Sequence, residues 1–513
     1  MHKAFRAVFV CAAVAAALPL LGSKILAISS DAAEIELQMA NLLFSDGRYI
    51  DAFDTYERVE ACEDLHVRRR ALMGSVRSAL RLADFTHANA DAETLMKMGP
   101  PDAEVMALYG DSLWALGLFE EAEQQFKDAL AVQPDLPRAL HGLGRSLASR
   151  GQLDEALDRA QAALRLGARD GEIHYTVGAI YERMHRYPEA ANALSSYVNL
   201  LPNKDRSAKG AWSRAQIRFL KAFGRKTPIE IDDAAGRTLH TVPFKIVEEK
   251  IVVKARVNHG PMMDFVVDTG SEQTVITQDT ARLLNVPAVA NTLSAGVGDI
   301  GLRGLQLARL DLLEIGDLKI RNVPTIIKNP PLRGMPINEA ESLSPLSLGL
   351  SMVVDYEHQQ LVIGRSIPAD AADIELPLRF HRLATVRGQV DGGPANFIVD
   401  TGGQVISIST EMASSLESAE GRPHIPLKVY GTSGWDRDAF LLPSVDLAFR
   451  QIELSHIPVV VLNLRAPSVL LGFRLGGIVG HKFLSQYRVS IDLARSTVRL
   501  KARSASKPAA LSN

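Results

Sequence analysis

The sequence predicts a multidomain chain, an all-α repeat solenoid followed by a mainly-β module with two similar lobes. Three observations carry this prediction. Alanines recur about every 34 residues in the N-terminal part. The hydrophobic pattern changes from helical to alternating near residue 240. The motif D-T-G occurs twice after apolar segments, at residues 268–270 and 400–402.

The composition excludes several functional classes before any motif is considered. With 513 residues and about 150 residues per domain, the chain has room for roughly three domains. Lys+Arg number 57 and Asp+Glu 59, and a net charge of −2 is not typical of a nucleic-acid binder. Two cysteines cannot form a disulfide framework or a four-ligand zinc site. We expect no nucleic-acid partner, no metal and no cofactor.

Residues 1–27 have the composition of a targeting segment. Lys3 and Arg6 precede a run of apolar and small residues at 7–22, and Ala27 supplies a small residue after it. This order is typical of a secretory signal peptide, and the run is slightly short for a membrane-spanning helix. We therefore expect an exported protein, periplasmic or secreted, with an uncleaved N-terminal membrane anchor as the alternative.

Residues 33–222 contain an internal repeat. A small residue recurs in the second helix of each unit, at intervals of 36, 34, 34 and 34 residues. Such a period predicts stacked helix pairs, and the segment resembles the tetratricopeptide repeat (TPR) family over about five repeats. The resemblance implies a concave face for a peptide or protein partner; the alternative is an array that only spaces or stabilises the following module. The recurring residues are Ala52, Ala88, Ala122, Ala156 and Ala190.

Glycines and a final helix complete the repeat prediction. Gly110, Gly144 and Gly178 occupy the first helix of the third to fifth repeats, where the absence of a Cβ lets two helices approach closely. Residues 211–220 are predicted to form a capping helix whose outer face can be polar. The helical pattern ends soon afterwards, so we assign residues 223–240 to a linker.

The C-terminal half contains one β unit twice. Residues 264–271 (D-F-V-V-D-T-G-S) and 396–403 (N-F-I-V-D-T-G-G) each follow a predicted hairpin and run into a short helical stretch. The two D-T-G aspartates are 132 residues apart, and each copy closes with an aspartate 87 or 92 residues further on. We therefore predict homologous lobes at residues 241–366 and 367–503, followed by a disordered tail at 504–513.

The paired D-T-G motifs resemble the retropepsin-like aspartic proteases, with both lobes in one chain as in the pepsin-like members. Two carboxyl groups held close together share one proton, so one can act as a base toward water and the other as an acid toward the scissile carbonyl. The resemblance implies that Asp268 and Asp400 are catalytic. It also implies that the neighbouring residues support the active-site loops; these are Thr269, Gly270, Ser271, Thr401 and Gly402.

Two glycine-rich segments are predicted to be flaps over a substrate cleft between the lobes. Glycine makes a hairpin tip mobile, and the resemblance implies that a peptide substrate pairs with the backbone as an added strand. Trp435 is predicted either to cover a subsite or to pack at a loop base. The predicted flap residues are Gly296, Gly298, Gly301, Gly431, Gly434 and Trp435.

Two competing interpretations are set aside. The first flap segment satisfies G-x-G-x-x-G with Asp317 about twenty residues on, which alone suggests a dinucleotide site. Residues 290–294 are, however, an unconvincing strand, and Gly316 with Asp317 is typical of a turn rather than a strand end. His481 is expected to be a surface or loop histidine, because no second histidine stands at metal-ligand spacing.

The two copies differ in ways that bear on activity. Ile478-Val479-Gly480 would support the second active-site loop, whereas the counterpart near residues 342–345 lacks the glycine. Gly403 stands where Ser271 stands in the first lobe, so a hydroxyl that could hydrogen-bond Asp400 is missing. Two hypotheses remain: an aspartic endopeptidase whose repeats recruit a protein substrate or partner, and a non-catalytic peptide-binding or assembly scaffold with a degenerate protease-like module.

Overall fold

The computed structural model describes residues 29–202, 205–232, 236–297, 302–328, 340–416, 423–431 and 434–503. The predicted targeting segment, the predicted tail and the flap residues Gly298 and Gly301 lie outside these ranges. Within them, no helix is both long and apolar enough to cross a bilayer.

Within the described residues, the N-terminal part consists of eleven consecutive helices, so the predicted repeat solenoid is confirmed. They stack as antiparallel pairs with a final single helix, and all five recurring alanines are fully buried. The helices are α1 Ser30–Ser45, α2 Tyr49–Glu60, α3 Leu65–Leu82, α4 Phe85–Lys97, α5 Ala103–Ala115, α6 Phe119–Val132, α7 Pro137–Ser149, α8 Leu153–Leu166, α9 Gly171–Arg183, α10 Tyr187–Leu200 and α11 Ala208–Ala222.

Glycine is required where the paired helices touch. A Cβ on Gly110 would lie 2.7 Å from the Phe126 ring, and one on Gly178 would lie 2.9 Å from the Leu194 side chain. Both distances are too short for a real contact, so a larger residue would push the pair apart. The close approach expected at these glycines is present.

The C-terminal part is mainly β and begins inside the segment assigned to the linker. Strand β1 (Glu230–Ile231) pairs with a strand of the first lobe, so part of residues 223–240 belongs to that lobe. The other first-lobe elements are β2 Leu239–Val247, β3 Lys250–Val257, β4 Met262–Val267, β5 Thr274–Thr277, α12 Gln278–Leu283, β6 Ala288–Ala295, β7 Leu302–Ile315, β8 Leu318–Lys328, β9 Glu341–Leu343, a 3-10 turn Leu346–Leu348, β10 Ser351–Asp355 and β11 Gln360–Gly364.

The second lobe repeats this order of elements. In each lobe the strand before D-T-G pairs in parallel with a short later strand, β4 with β9 and β14 with β21. Its elements are β12 Ile374–Phe380, β13 Ala384–Val390, β14 Gly393–Val399, β15 Ser407–Ser409, α13 Thr410–Ser414, β16 Ile425–Pro426, β17 Val429–Gly431, β18 Gly434–Asp436, β19 Phe440–Phe449, β20 Ile452–Leu462, α14 Arg465–Leu471, β21 Gly477–Val479, α15 His481–Leu484, β22 Tyr487–Asp492 and β23 Thr497–Ala502.

One antiparallel sheet joins the lobes. Its strands run in the order β2, β11, β10, β22, β23, β12, so each lobe contributes half of it. At its centre Val353 of β10 lies opposite Ser490 of β22. Apolar residues of both lobes, such as Phe265 and Phe397, pack into one continuous core beside this sheet. The lobes therefore form a single body.

The repeats pack directly against both lobes. The rings of Trp114, Phe119, His381 and Phe473 form one aromatic cluster between the third repeat and the second lobe, with neighbouring centroids 4.8–5.3 Å apart. At the other end, Phe219 of α11 shares a buried cluster with residues of β6 and β7 in the first lobe. Burial of this apolar surface makes the solenoid and the β module one unit.

Charged residues reinforce the contact with the second lobe. Arg379 of β12 is buried and bonds Glu120 of α6 at 2.9 Å, and Arg387 of β13 bonds the same carboxylate at 3.3 Å. A buried guanidinium without a carboxylate would be strongly unfavourable. The Arg379 side chain therefore depends on the docked repeat.

The turns inside successive repeats also touch the β module. Gly117 has φ +79°, and a Cβ there would clash with the side-chain amide of Asn396. A Cβ on Gly151 would lie 3.1 Å from the Leu493 carbonyl oxygen. Both glycines thus serve a tight turn and a close interdomain approach.

We predict that Gly117→Ala destabilises the protein through this approach. The left-handed backbone alone costs a non-glycine residue about 1–2 kcal/mol, and the clash with Asn396 adds to it. Gly224→Ala is the matched control, because Gly224 has φ +58° and open space around its Cβ position. Urea denaturation should show a larger loss of unfolding free energy for Gly117→Ala. Equal losses would show that the contact with Asn396 contributes nothing.

Candidate active site

The structure brings the two D-T-G loops face to face. Asp268 follows β4 and Asp400 follows β14. A Cβ on Gly270 would lie 2.5 Å from the Asp400 carboxyl carbon, and one on Gly402 would lie 2.6 Å from that of Asp268. Each carboxyl group therefore occupies the space left by the glycine of the opposite loop, which only glycine permits.

The side chains of Asp268 and Asp400 hydrogen-bond each other. Burial raises the pKa of Asp268 well above the ordinary value, and the charge of Asp400 and the bond to it raise it further. The pair therefore holds one proton between its two carboxyl groups. As in other closely coupled pairs, the proton belongs to the pair rather than to an isolated side chain.

The backbone treats the two carboxyl groups differently. Asp400 Oδ1 accepts the N–H groups of Gly402 at 2.8 Å and Gly403 at 2.9 Å, whereas Asp268 Oδ1 accepts only that of Gly270, at 3.0 Å. N–H donors favour the ionised form of a carboxyl group. The extra donor at Asp400 therefore agrees with a proton held on Asp268.

Thr269 and Thr401 connect the two loops. Each hydroxyl accepts the backbone N–H of the other threonine, at 3.0 and 3.1 Å. Each hydroxyl also donates across to the strand that leads into the opposite loop, Thr269 to the Val399 carbonyl at 2.6 Å and Thr401 to the Val267 carbonyl at 2.7 Å. All four bonds are buried, so they hold the aspartates at a fixed separation.

Two expectations about the loops are wrong. The Ser271 hydroxyl donates to the Gln273 carbonyl at 2.7 Å, so a missing hydroxyl is not what distinguishes the lobes; the extra N–H of Gly403 is. His481 is not a surface or loop histidine: it is buried at the start of α15, and its backbone N–H donates to the Gly403 carbonyl at 2.7 Å. Burial lowers the pKa of His481.

The second loop has the tighter support. A Cβ on Gly480 would lie 2.5 Å from the Val405 carbonyl oxygen, so this loop rests directly on the glycine. In the first lobe Leu343 pairs with Val267 as Val479 pairs with Val399, which places Ser344 at the position of Gly480. The first lobe therefore lacks this glycine, as predicted, and its loop has a different backbone support from the loop of the second lobe.

The described parts of the two predicted flap segments contact each other. Gly296 follows β6, and Gly431 ends β17 and faces Gly434 in the β17–β18 hairpin. A Cβ on Gly431 would clash with the Val297 carbonyl, so the two segments touch. Trp435 packs its ring on Tyr430 across the second hairpin.

The strand before the first flap segment bears on whether the G-x-G-x-x-G segment is a dinucleotide-binding site. Residues 288–295 form β6, so the expectation that residues 290–294 are a poor strand is wrong. Strand β6 pairs antiparallel with β7, and no helix follows it as a dinucleotide site requires. Gly316 and Asp317 form a turn, as expected. Among the described residues, no group of His, Cys, Asp or Glu is placed to hold a metal ion.

One contact beside the first loop was not foreseen. Glu272 follows Ser271 and forms an ion pair at 3.1 Å with Arg382, which comes from the segment between β12 and β13. Arg382 also lies over the ring of Trp212 in α11, 4.9 Å from its centroid. The sequence offers no spacing that links these three residues, because they come from the two lobes and from α11.

Two lobes with interlocked D-T-G loops define a retropepsin-like aspartyl protease module, and eleven stacked helices define the array before it. Comparison with protein families agrees. Residues 253–337 and 386–475 match the family described as gag-polyprotein putative aspartyl protease. Residues 74–137 and 141–205 match the tetratricopeptide repeat. The chain thus combines TPR repeats with a retropepsin-like aspartyl protease module.

Solved structures with similarity to this chain include several TPR proteins. One is a thermophilic TPR protein of Thermus thermophilus, with 24% identity over 34% of this chain and 93% of that chain and a TM-score of 0.30. Another is YrrB, a TPR protein with an unusual peptide-binding site, with 20% identity over 33% and 86% and a TM-score of 0.22. A third is MamA of Desulfovibrio magneticus RS-1, with 18% identity over 34% and 97% and a TM-score of 0.25. Among curated proteins, none matches the chain.

We predict that Thr401→Val destabilises the protein more than Thr401→Ser does. Valine keeps the shape but removes the hydroxyl, which leaves the buried Thr269 N–H without its acceptor at a cost of about 1–3 kcal/mol. Serine keeps the hydroxyl and loses one methyl group. Urea denaturation of the two variants measures the difference. Equal stabilities would contradict a structural role for the bonds between the loops.

Proposed function

We propose that the protein is an aspartic endopeptidase that hydrolyses peptide bonds with a water molecule activated between Asp268 and Asp400. The observation that supports this most directly is the pair of facing carboxyl groups at the junction of the lobes, because two carboxyl groups this close hold one proton between them. A pair in this state has a base and an acid next to each other, which amide hydrolysis needs.

The reaction follows from these protonation states. Ionised Asp400 takes a proton from water as the water oxygen bonds to the carbonyl carbon, and Asp268 gives its proton to the carbonyl oxygen. A neutral tetrahedral diol results, with the proton now on Asp400. The C–N bond then breaks as Asp400 protonates the leaving nitrogen and Asp268 takes a proton from a diol hydroxyl. The pair returns to its starting state with one proton on Asp268.

The flap contact governs access to this pair. Val297 touches Gly431, so the two flap segments are in contact. We expect a polypeptide substrate to enter when these segments separate, and their renewed contact to exclude water from the bound substrate.

We further propose a role for the repeats and a cellular location for the protein. The repeats serve to recruit a protein substrate or partner, since arrays of this kind present extended binding surfaces. The basic and apolar pattern of residues 1–27 supports export to the periplasm or secretion, with an N-terminal membrane anchor as the alternative.

A non-catalytic scaffold is the second candidate. It is favoured by Ser344, which stands where Gly480 supports the other loop. In that case the module would bind peptides without cutting them.

We predict that Asp268→Asn and Asp400→Asn each lower peptide cleavage by about 10²–10⁴-fold or more, because each removes half of the acid–base pair. Asp279→Asn is the control, since Asp279 is an exposed carboxylate of the same lobe in α12. Mass spectrometry of a digested peptide library measures the cleavage. If the unaltered protein cuts no peptide between acidic and neutral pH, the scaffold function replaces the protease.

We also predict that activity persists to a higher pH than an ordinary aspartate would allow. An aspartate normally loses its proton near pH 4, but the raised pKa of Asp268 keeps the shared proton on the pair well above that. Activity should fall at low pH when the pair takes up a second proton, and at high pH when the shared proton leaves. The pH profile of kcat/KM measures both limbs, and a high-pH limb near pH 4 would contradict the assignment.

A further inference from the structure

A cavity of about 1160 Å³ separates the concave face of the repeats from the protease module. One wall consists of repeat helices, including α3, α7, α9 and α11, and the other of residues from both lobes. The concave face was expected to meet an external partner, but it faces the chain's own β module across this space. This volume is slightly above the range of about 300–1,000 Å³ that is usual for ligand pockets, so the cavity has room for a sizeable ligand.

The cavity carries a surplus of positive charge. Nine arginine and lysine side chains line it, against six carboxylates, although the whole chain has a net charge of −2. The cations are Arg77, Arg81, Arg138, Arg145, Arg169, Arg183, Lys209, Arg365 and Arg382. The carboxylates are Asp111, Asp170, Glu172, Glu182, Asp205 and Glu272. A field of this sign concentrates anionic groups.

Some of the charged side chains that line the cavity are partly accessible. The side chains of Arg81, Glu172 and Lys209 are 29%, 31% and 30% accessible. All three line the cavity, so part of this accessible surface faces it. Arg81 and Lys209 can therefore meet a ligand there.

Arg77 shares its carboxylate partner with a second arginine. Arg77 and Arg138 both bond the same oxygen of Glu104, at 3.1 and 2.9 Å. The Nε atom of Arg77 is buried and has no hydrogen-bond partner among the described residues, so this guanidinium can accept a further carboxylate. An added carboxylate near Arg77 would gain two or more charge-assisted hydrogen bonds.

The opposite wall leads to the catalytic loop. Glu272 and Gln273 line the cavity and follow Asp268 by four and five residues. Leu293 of β6 and Leu305 of β7, from the first flap hairpin, line it as well. A chain segment in the cavity therefore touches the elements that position and cover the active site.

We propose that this cavity is an exosite for an acidic segment of a polypeptide substrate. The inference rests on the proposed protease function. A polypeptide is favoured over a compact anion because carboxylates such as Glu172 lie between the cations, and because rings such as Tyr175 and Trp212 offer apolar surface beside them. An acidic segment bound here holds the substrate over the first catalytic loop, so substrates that carry one are cut with a lower KM.

The first test measures binding without cleavage. The full chain with Asp268→Asn is titrated with a fluorescent peptide that contains several glutamates, and with the same peptide carrying glutamines instead. We expect the acidic peptide to bind at least about tenfold more tightly, with a preference that fades at high salt. Adding Arg77→Gln should weaken acidic-peptide binding about tenfold.

The control is Arg69→Gln, because Arg69 lies on the same helix, pairs with Asp102 at 2.7 Å and does not line the cavity. It should leave binding unchanged. Equal affinity for both peptides, equal effects of the two arginine variants, or full displacement by inorganic phosphate would each overturn the exosite. If acidic-peptide binding meets every expectation but the unaltered chain cleaves nothing, the protease function fails while the cavity remains an acidic-peptide site.

The second test concerns turnover. In the unaltered chain, an acidic extension on a cleavable peptide should lower KM about tenfold and leave kcat nearly unchanged, and Arg77→Gln should cancel the gain. Loss of kcat instead of a rise in KM in Arg77→Gln would contradict binding at a separate site.

Discussion

The candidate active site depends on four buried hydrogen bonds, which join Thr269 and Thr401 to the backbone of the opposite lobe. These bonds bring together two aspartates that are 132 residues apart in the sequence. Two carboxyl groups that lie this close in space repel each other when both are ionised. The loops resist that repulsion because the bonds lie out of water, where breaking one leaves an unsatisfied polar group.

Pseudo-symmetry of the backbone does not make the two carboxyl groups equivalent. Gly403 adds a second N–H to Asp400, and the N-terminal turn of α15 holds the Gly403 carbonyl in place. In the first lobe, Ser344 stands at the position that Gly480 has in the second lobe. A chain with two lobes can differ in this way, whereas two identical subunits would present the same groups to both carboxyls. The fused arrangement thus lets the backbone favour the ionised form at one carboxyl group more than at the other.

Features with a local or periodic signature could be predicted from the sequence. The interval of about 34 residues led to the solenoid, and the paired D-T-G motifs led to the two lobes and their meeting point. The expectations that failed concern residues whose environment comes from distant segments. His481 is buried because Tyr356 of the other lobe packs on it, and β6 is a strand because β7 pairs with it. The docking of the repeats on the β module could not be predicted, because no sequence motif or regular spacing marks the residues that form this contact.

The contacts of the intra-repeat turns limit how this array can change. Isolated solenoids gain and lose units easily, since each unit meets only its neighbours. Here Gly117 sits on Asn396 and Gly151 sits near Leu493, one unit apart on the same surface. Duplication or deletion of a unit would move every later turn by one step and take α11 away from β6. The number of repeats between the Gly117 turn and α11 is therefore set by the width of the β module.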